Sequence, residues 1–411
     1  MTNIAQYLQN CSEVTCSIVS LAVMMIGGYL MTYLTRLVKL PNVTAYIVSG
    51  ILLGPHVLNV IPVSFIAHSD FVGDIALAFI AFSTGEYFKI EAIRRNGFHV
   101  LAITLCDCLL TMAAVFCVIR FIFRVDLGFS IVLAALASAT APASTMMTIR
   151  QTRAHGEFVN TLIQVIALDN LVGLIEYSIV ISVVSASQAG SISFHSVILP
   201  LIETVLLMLL GAAIGWLLSR VMDDLPKDER LIITLASMLI FCAVCSLFSI
   251  SPLLGCMSMG ALISNRSSDA IFEQMNSFAV PVLLLFFVRS GANLNIAALV
   301  SNGSSVAGAS LAGIVTAYFL IRIIGKYAGA YVGCIIAGKN RTVRNYLGLA
   351  LIPQAGVAIG LAALGARVLG GETGEALSNI ILATSVLYEL VGPACAKAAL
   401  HLAGSYNESD Q

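Results

Sequence analysis

Apolar residues in this chain come in long unbroken runs, and most charged residues fall between the runs, not on one face of an amphipathic stretch. Thirteen runs are read, at about 15–37, 42–54, 71–89, 98–122, 127–149, 159–185, 195–220, 230–249, 252–264, 275–292, 304–337, 345–369 and 375–402. Most are near 20 residues, the length at which a helix crosses a hydrocarbon core of about 30 Å. A helix also satisfies its own backbone, which lipid cannot do for it. The pattern predicts an all-α membrane protein with about 13 transmembrane helices. Composition agrees: 59% of residues are hydrophobic, 10% are charged and mean hydropathy is +0.96, outside the range of a soluble globular chain.

Charge sets orientation and excludes one class of partner. Fifteen of the 21 Lys and Arg residues lie in the odd-numbered connections or at the C-terminal end, Lys39, Lys89 and Arg344 among them. Only Arg120, Arg124 and Arg367 lie in the even ones. Basic residues gather in short cytoplasmic loops, so the reading is a multi-pass protein of the cell (inner) membrane, with its N-terminus outside and its C-terminus cytoplasmic. A net charge of -1 with no clustered basic face argues against nucleic acid. Ten cysteines, mostly inside apolar runs, read as small buried hydrophobes and not as a disulfide framework or a zinc site. Glu13, with no Lys or Arg before it, precedes the first run, so a basic cleavable leader is not expected. About ten residues follow the last run, and no cytosolic regulatory domain is expected.

The chain echoes itself. "AYIVSGILLGP" in the second run is matched by "SPLLGCMSMGALIS" in the ninth, and "LAFIAFSTGEYFKI" by "LLLFFVRSGANLNI". An offset of seven runs inverts the second copy relative to the first, the plan of many secondary transporters. The predicted organisation is a single membrane domain with inverted repeats at about 15–185 and 230–402, joined by a connector helix at about 195–220. The plainer alternative is that any two Gly-rich apolar helices look alike. On the repeat reading the fifth run pairs with the twelfth, and both are broken: "ALASATAPASTMM" by Pro142, "LALIPQAGVAIG" by Pro353. Unwound backbone at membrane depth is tolerated where protein buries it or a cavity wets it, so matched breaks point to a midplane site. Two proline kinks with Ser and Thr bonded back to their own helices are the alternative.

The sixth run carries the chemistry. "VIALDNLVGLIEY" places Asp169, Asn170 and Glu176 among apolar residues. A charge at the bilayer centre costs about 3 kcal/mol or more and needs a partner. The deep basic candidates are Arg289, Arg322 and Lys326, of which Lys326 is flanked by Gly325 and Gly329, small residues that admit a neighbouring helix. An Asp169–Lys326 ion pair is expected, and a buried lysine, unlike an arginine, can release its proton. Glu176, two turns beyond Asp169, reads as a structural partner for an arginine such as Arg322, with a second titrating group or a vestibule charge as alternatives. Thr140, Ser144 and Gln354 are candidate neutral ligands at the two breaks. Arg289 reads as a snorkelling or entrance residue or the partner of a core carboxylate. Asp107, in "ITLCDCLLTM", reads as a hydrogen-bonded packing group or a proton-path residue. Glu203 and Glu389 read as structural, and His56 and His68 as too exposed for a relay. No phosphate-cradling glycine loop, HExxH helix or nucleophile elbow is present, so an enzyme is not expected.

In "YIVSGILLGPHVL", "ATAPAS", "ALDNLVGL", "FFVRSGANLN", "RIIGKYAGAYVG", "LIPQAGVAIGLA" and "LYELVGP", taken in order, the chain resembles the second family of monovalent cation:proton antiporters, which includes bacterial sodium/proton antiporters. The resemblance implies a thirteen-helix homodimer with two crossed, locally unwound helices, exchanging a monovalent cation for protons by alternating access. The substrates would be Na⁺, before K⁺, and H⁺, with no cofactor. It also implies that Asp169 is the aspartate paired with Lys326. The chain departs from the Asp-Asp pair of familiar sodium/proton antiporters by carrying Asn170 in the second place. Asn170 is then a neutral cation ligand beside Asp169, and a single carboxylate facing a single lysine makes the exchange one-for-one and electroneutral. The alternatives are a solute:sodium symporter of related inverted-repeat fold and a channel or non-transporting homologue.

Overall fold

In the computed structural model, the described residues are 12–37, 42–86, 88, 90–188, 194–222, 225–247, 252–266, 270–294, 305–306 and 309–406. Lys39 and Lys89, used above for orientation, lie outside them. The chain folds into helices α1 (Glu13–Leu37), α2 (Asn42–Leu53), α3 (Val63–His68), α4 (Asp70–Gly85), α5 (Ile90–Cys117), α6 (Leu127–Leu136), α7 (Pro142–Thr152) and α8 (Glu157–Gln188). These are followed by α9 (Phe194–Val221), α10 (Lys227–Leu247), α11 (Leu253–Arg266), α12 (Ala270–Asn293), α13 (Leu311–Ile336), α14 (Arg341–Ala350), α15 (Gly356–Leu369) and α16 (Gly371–Leu402). A π turn at Val118–Ile122 ends α5, and Ser305–Val306 pairs antiparallel with Ala309–Ser310. Among the described residues, seven helices are long and apolar enough to cross a membrane, and four shorter apolar ones accompany them. The short helix α3 was not anticipated from the apolar runs.

The fifth and twelfth runs are each two half-helices. Asp126 starts α6 by accepting the backbone N–H of Gly128 and Phe129, and Asn340 starts α14 by accepting that of Val343 at 2.8 Å. A proline marks each break, Pro142 opening α7 and Pro353 lying between α14 and α15: it lacks the N–H that would continue a ladder, and it drives the residue before it out of the helical region. The stretches between α6 and α7 and between α14 and α15 meet, Ala141 N donating to Pro353 O at 2.9 Å.

Two sets of helices pack around these elements. One comprises α5, α6, α7, α8, α13, α14, α15 and α16, and the other α1, α2, α3, α4, α9, α10, α11 and α12; α8 against α9 and α4 against α15 are among the contacts that join them. In the second set, glycine allows backbone to touch backbone. A methyl group on Gly50 of α2 would collide with Val288 O of α12, and one on Gly291 of α12 with Ile47 O. The echoed pair behaves alike: Gly85 of α4 abuts Met257 O of α11, and Gly260 abuts Phe82 O. Gly50 and Gly291 thus serve one close crossing, α2 on α12, and Gly85 and Gly260 another, α4 on α11. Cys242 and Cys245, which stand in CxxC spacing on α10, are free thiols.

Candidate functional site

Seven backbone carbonyls in or beside the breaks find partners outside a helical ladder. Leu136 O accepts from Gln354 Nε2 at 2.7 Å and Ser138 O from Lys326 Nζ at 2.7 Å. Ala137 O, Ala139 O and Ile352 O accept from Arg322 at 2.8, 2.7 and 2.7 Å. Ala350 O accepts from Thr145 Oγ1 at 3.1 Å, and Pro353 O from the Ala141 backbone. Arg322 is fully buried with its guanidinium over the Tyr388 ring, 4.6 Å from the centroid. Its position follows from electrostatics, because the C-terminal ends of α6 and α14 present partial negative charge and a fixed cation between them offsets both.

One turn along α13, Lys326 lies at 0% exposure among four oxygens. Its Nζ is 2.6 Å from Asp107 Oδ2 on α5, 2.7 Å from Ser138 O and 3.0 Å from Thr140 Oγ1 in the first break, and 2.8 Å from Asp169 Oδ2 on α8. Thr140 Oγ1 also donates to Asp169 Oδ2, and Cys108 Sγ to Asp169 Oδ1 at 3.1 Å. Asp107 and Asp169 are each 0% exposed. Glycines on α13 set this geometry. A methyl group on Gly329 would come within 2.6 Å of Asp107 Cα, one on Gly325 within 2.9 Å of Thr111 Cα and one on Gly333 within 2.6 Å of Ile103 Cα. A bulkier residue at any of the three would force α5, and Asp107 with it, away from the lysine.

Of the candidates read from the sequence, Asp107, Asp169, Lys326 and Thr140 are brought together. Ser144 is engaged elsewhere, donating to Glu389 Oε1 at 2.8 Å; Glu389 is itself fully buried with Oε2 unpartnered among the described residues, deeper than a terminal structural residue. Gln354 links Leu136 O to the Tyr318 hydroxyl. Pro142 opens α7 and Pro353 lies in the second break.

Several expectations are corrected. Glu176 does not pair with Arg322: its Oε2 accepts from Ser138 Oγ at 2.5 Å, while the arginine is taken up by break carbonyls. Asn170 does not join the oxygens around Lys326. Its amide donates to Ile166 O at 3.0 Å on its own helix, and its buried Oδ1 has no hydrogen-bond partner among the described residues. Asp107 is not a mere packing group, since it forms an ion pair with Lys326. A single carboxylate facing the lysine, the premise for a single switching charge, is therefore not what the helices assemble. Arg289 pairs with Asp70, which is 59% exposed, and bonds Ile66 O and Ser69 Oγ, so it does not serve a core carboxylate. Ser138, Cys108, Tyr318 and Tyr388 were missed. Ser138 alone carried a signal, two residues before Thr140 in the first break.

A cavity of about 700 Å³ lies between α8 and α15 on one side and α9, α10 and α11 on the other. Asp74, Glu203 and Arg367 line it, with Leu174, Tyr177 and Ser178 toward the middle of α8. Arg367 is ion-paired to Asp74 at 3.3 Å.

Residues 21–397 match the family model described as sodium/hydrogen exchanger, transmembrane. Among solved structures, the chain is similar to the sodium proton antiporter MjNhaP1 from Methanocaldococcus jannaschii at pH 8, with TM-score 0.74 and 19% identity over 95% of this chain and 100% of that one. A second structure of the same antiporter, an electron-microscopy map, matches with TM-score 0.72 and 17% identity, covering 96% of this chain and 99% of that one. Comparison with curated proteins returns no match.

Proposed function

The chain belongs to the sodium/hydrogen exchanger family of cation:proton antiporters, and from that premise we propose that it exchanges Na⁺ for protons at the Lys326 cluster by alternating access. The observation that carries the reading is the setting of the Lys326 ammonium, a monovalent positive charge buried among carboxylate, carbonyl and hydroxyl oxygens. Those are the ligands a hard cation takes. A cation and the ammonium cannot share the space. When the cation arrives, Lys326 gives up its proton and withdraws, and Asp169 and Thr140 turn to the ion. When the cation leaves, a proton returns to Lys326 and the ion pair re-forms.

This exchange is one-for-one. The charge brought by the cation equals the charge removed with the proton, whatever charge the neighbouring groups hold, so the cycle is electroneutral even with Asp107 beside Asp169. The Arg322 contacts support a rigid crossing that carries the site as a unit. The cavity between α8, α15 and α9–α11 supports a route from one side, with Glu203, Asp74 and Arg367 at its wall. The same reading includes inverted repeats about residues 15–185 and 230–402 with the connector about 195–220, a homodimer in the cell (inner) membrane, and a cytoplasmic C-terminus.

The test is a pH-sensitive dye in proteoliposomes, with Na⁺, Li⁺ and K⁺ added in turn to wild type and Asp169→Asn. Cation-driven proton movement in wild type, lost in Asp169→Asn, is expected. Cation flux without obligatory proton exchange would instead indicate a channel. Proton-independent uptake of an organic solute with Na⁺ would indicate a symporter, and no flux a non-transporting homologue.

A further inference from the structure

We propose that Asp107, on α5, is the second carboxylate ligand of the transported cation, so that the ion is held between two helices and not by neighbouring residues of α8. The proposal rests on the exchange reading above and deepens it at the same site.

The ligand set is already assembled around a positive charge. Four oxygens from α5, the first break and α8 approach the Lys326 ammonium within 3.0 Å. An ammonium has three N–H groups, too few to give each of the four an N–H of its own. A spherical ion has no such limit, and hard cations take several oxygen ligands, carboxylates foremost. The set therefore suits an ion better than it suits the lysine that fills it.

Asp107 carries a second mark of a ligand. Its Oδ2 faces the ammonium, but its Oδ1 is buried with no hydrogen-bond partner among the described residues. A buried, unpartnered carboxylate oxygen is costly to keep and is rare without a use. One ligand atom from each of Asp107, Cys108 and Asp169 lies within 4.8 Å of the other two. Asn170, next to Asp169, donates its Nδ2 to Ile166 O on its own helix, and its Oδ1, also unpartnered among the described residues, is not one of the four oxygens at Lys326. Packing brings the carboxylate in: Gly325, Gly329 and Gly333 allow α5 to lie against α13 with Asp107 at the lysine.

The purified full-length protein is titrated calorimetrically with Na⁺ at fixed pH, and exchange is measured in proteoliposomes, for wild type, Asp107→Asn and Asn170→Ala. Asp107→Asn keeps the shape and one hydrogen bond. Its KM and Kd for Na⁺ should rise by at least ~10-fold while kcat stays within about 3-fold, and Asn170→Ala should leave the affinity within about 3-fold. A packing role alone would lower folded yield or kcat and leave KM in place. A folded Asp107→Asn protein with wild-type affinity would overturn the proposal and leave the exchange reading intact, whereas wild type without exchange would overturn both. Should Asp107→Asn fail to fold, wild-type crystals containing Tl⁺ decide the matter. An anomalous peak ligated by Asp107 together with Asp169 supports the proposal, and one on Asp169 without Asp107 overturns it.

Discussion

Arg322 and Lys326, one turn apart on α13, divide the buried positive charge between structure and chemistry. The arginine donates to three main-chain carbonyls of the two breaks, and the lysine reaches two carboxylates. Arginine has the fork of donors that fixed carbonyls need and keeps its proton, whereas lysine is compact and can lose its own.

Replacing Lys326 by Gln leaves Asp107 and Asp169 buried without a counter-charge. Breaking such a buried pair costs about 3–5 kcal/mol, so the thermal midpoint should fall. Na⁺ should then stabilise Lys326→Gln more than wild type, because the ion takes the place of the ammonium. Thermal unfolding in NaCl against choline chloride measures this, and an equal shift in both proteins would contradict the competition of ion and ammonium.

Arg322→Lys keeps the charge and loses the fork. At least one of the Ala137, Ala139 and Ile352 carbonyls would be orphaned, at about 1–3 kcal/mol each. Arg322→Gln should be worse, since it also removes the charge facing two helix C-terminal ends. Ranking by unfolding temperature, wild type above Lys above Gln, is the expected result. Equal stability of the three would deny the carbonyl contacts a structural role.

Gly329→Ala should damage transport, because the added methyl would stand 2.6 Å from Asp107 Cα and must push α5 aside. Gly313→Ala on the same helix is the control, its methyl coming no nearer than 3.4 Å, to the Phe123 ring. Exchange rates should fall at least ~10-fold in the first and stay within about 2-fold in the second. Assay of both in liposomes at matched reconstitution decides.

An electroneutral cycle is indifferent to membrane potential. Moving one net charge would couple about 2.3 kcal/mol per 100 mV, close to a ~50-fold bias in equilibrium. Imposing 100 mV of either sign with a potassium gradient and valinomycin, during Na⁺-driven exchange, should change wild-type rates by less than about 2-fold. A steep response would mean that a second proton moves with Asp107 or Asp169.

Glu176→Gln preserves the hydrogen bond from Ser138 and should leave exchange within about 3-fold of wild type, unlike Asp169→Asn. A loss matching that of Asp169→Asn would give Glu176 a place in the transport path.

Much of this arrangement was legible in the residues. Long apolar runs gave helices because lipid demands it, and Pro142 and Pro353 marked the breaks because each removes a donor. The Asp169–Lys326 contact could be anticipated because a buried aspartate needs a cation, and a lysine between glycines is open to a close neighbour. Asp107 could not be assigned in the same way, since its partner depends on which helix lies against α13. That choice is made by three glycines whose opposing residues one chain's sequence does not name. The Glu176–Arg322 pairing failed for a related reason. It weighed charge against charge, whereas break carbonyls, which appear in no side-chain inventory, claimed the arginine first.

The three acceptors of Arg322 belong to the main chain, so they survive substitution of the residues that present them. Replacements at 137, 139 and 352 would leave every one of those oxygens in place, so whatever these buried positions cost through side-chain packing would not report the contacts to Arg322. The interaction would surface at a single codon, that of residue 322. A mutational map of this protein would thus place the cost of the crossing on a helix that takes no part in unwinding.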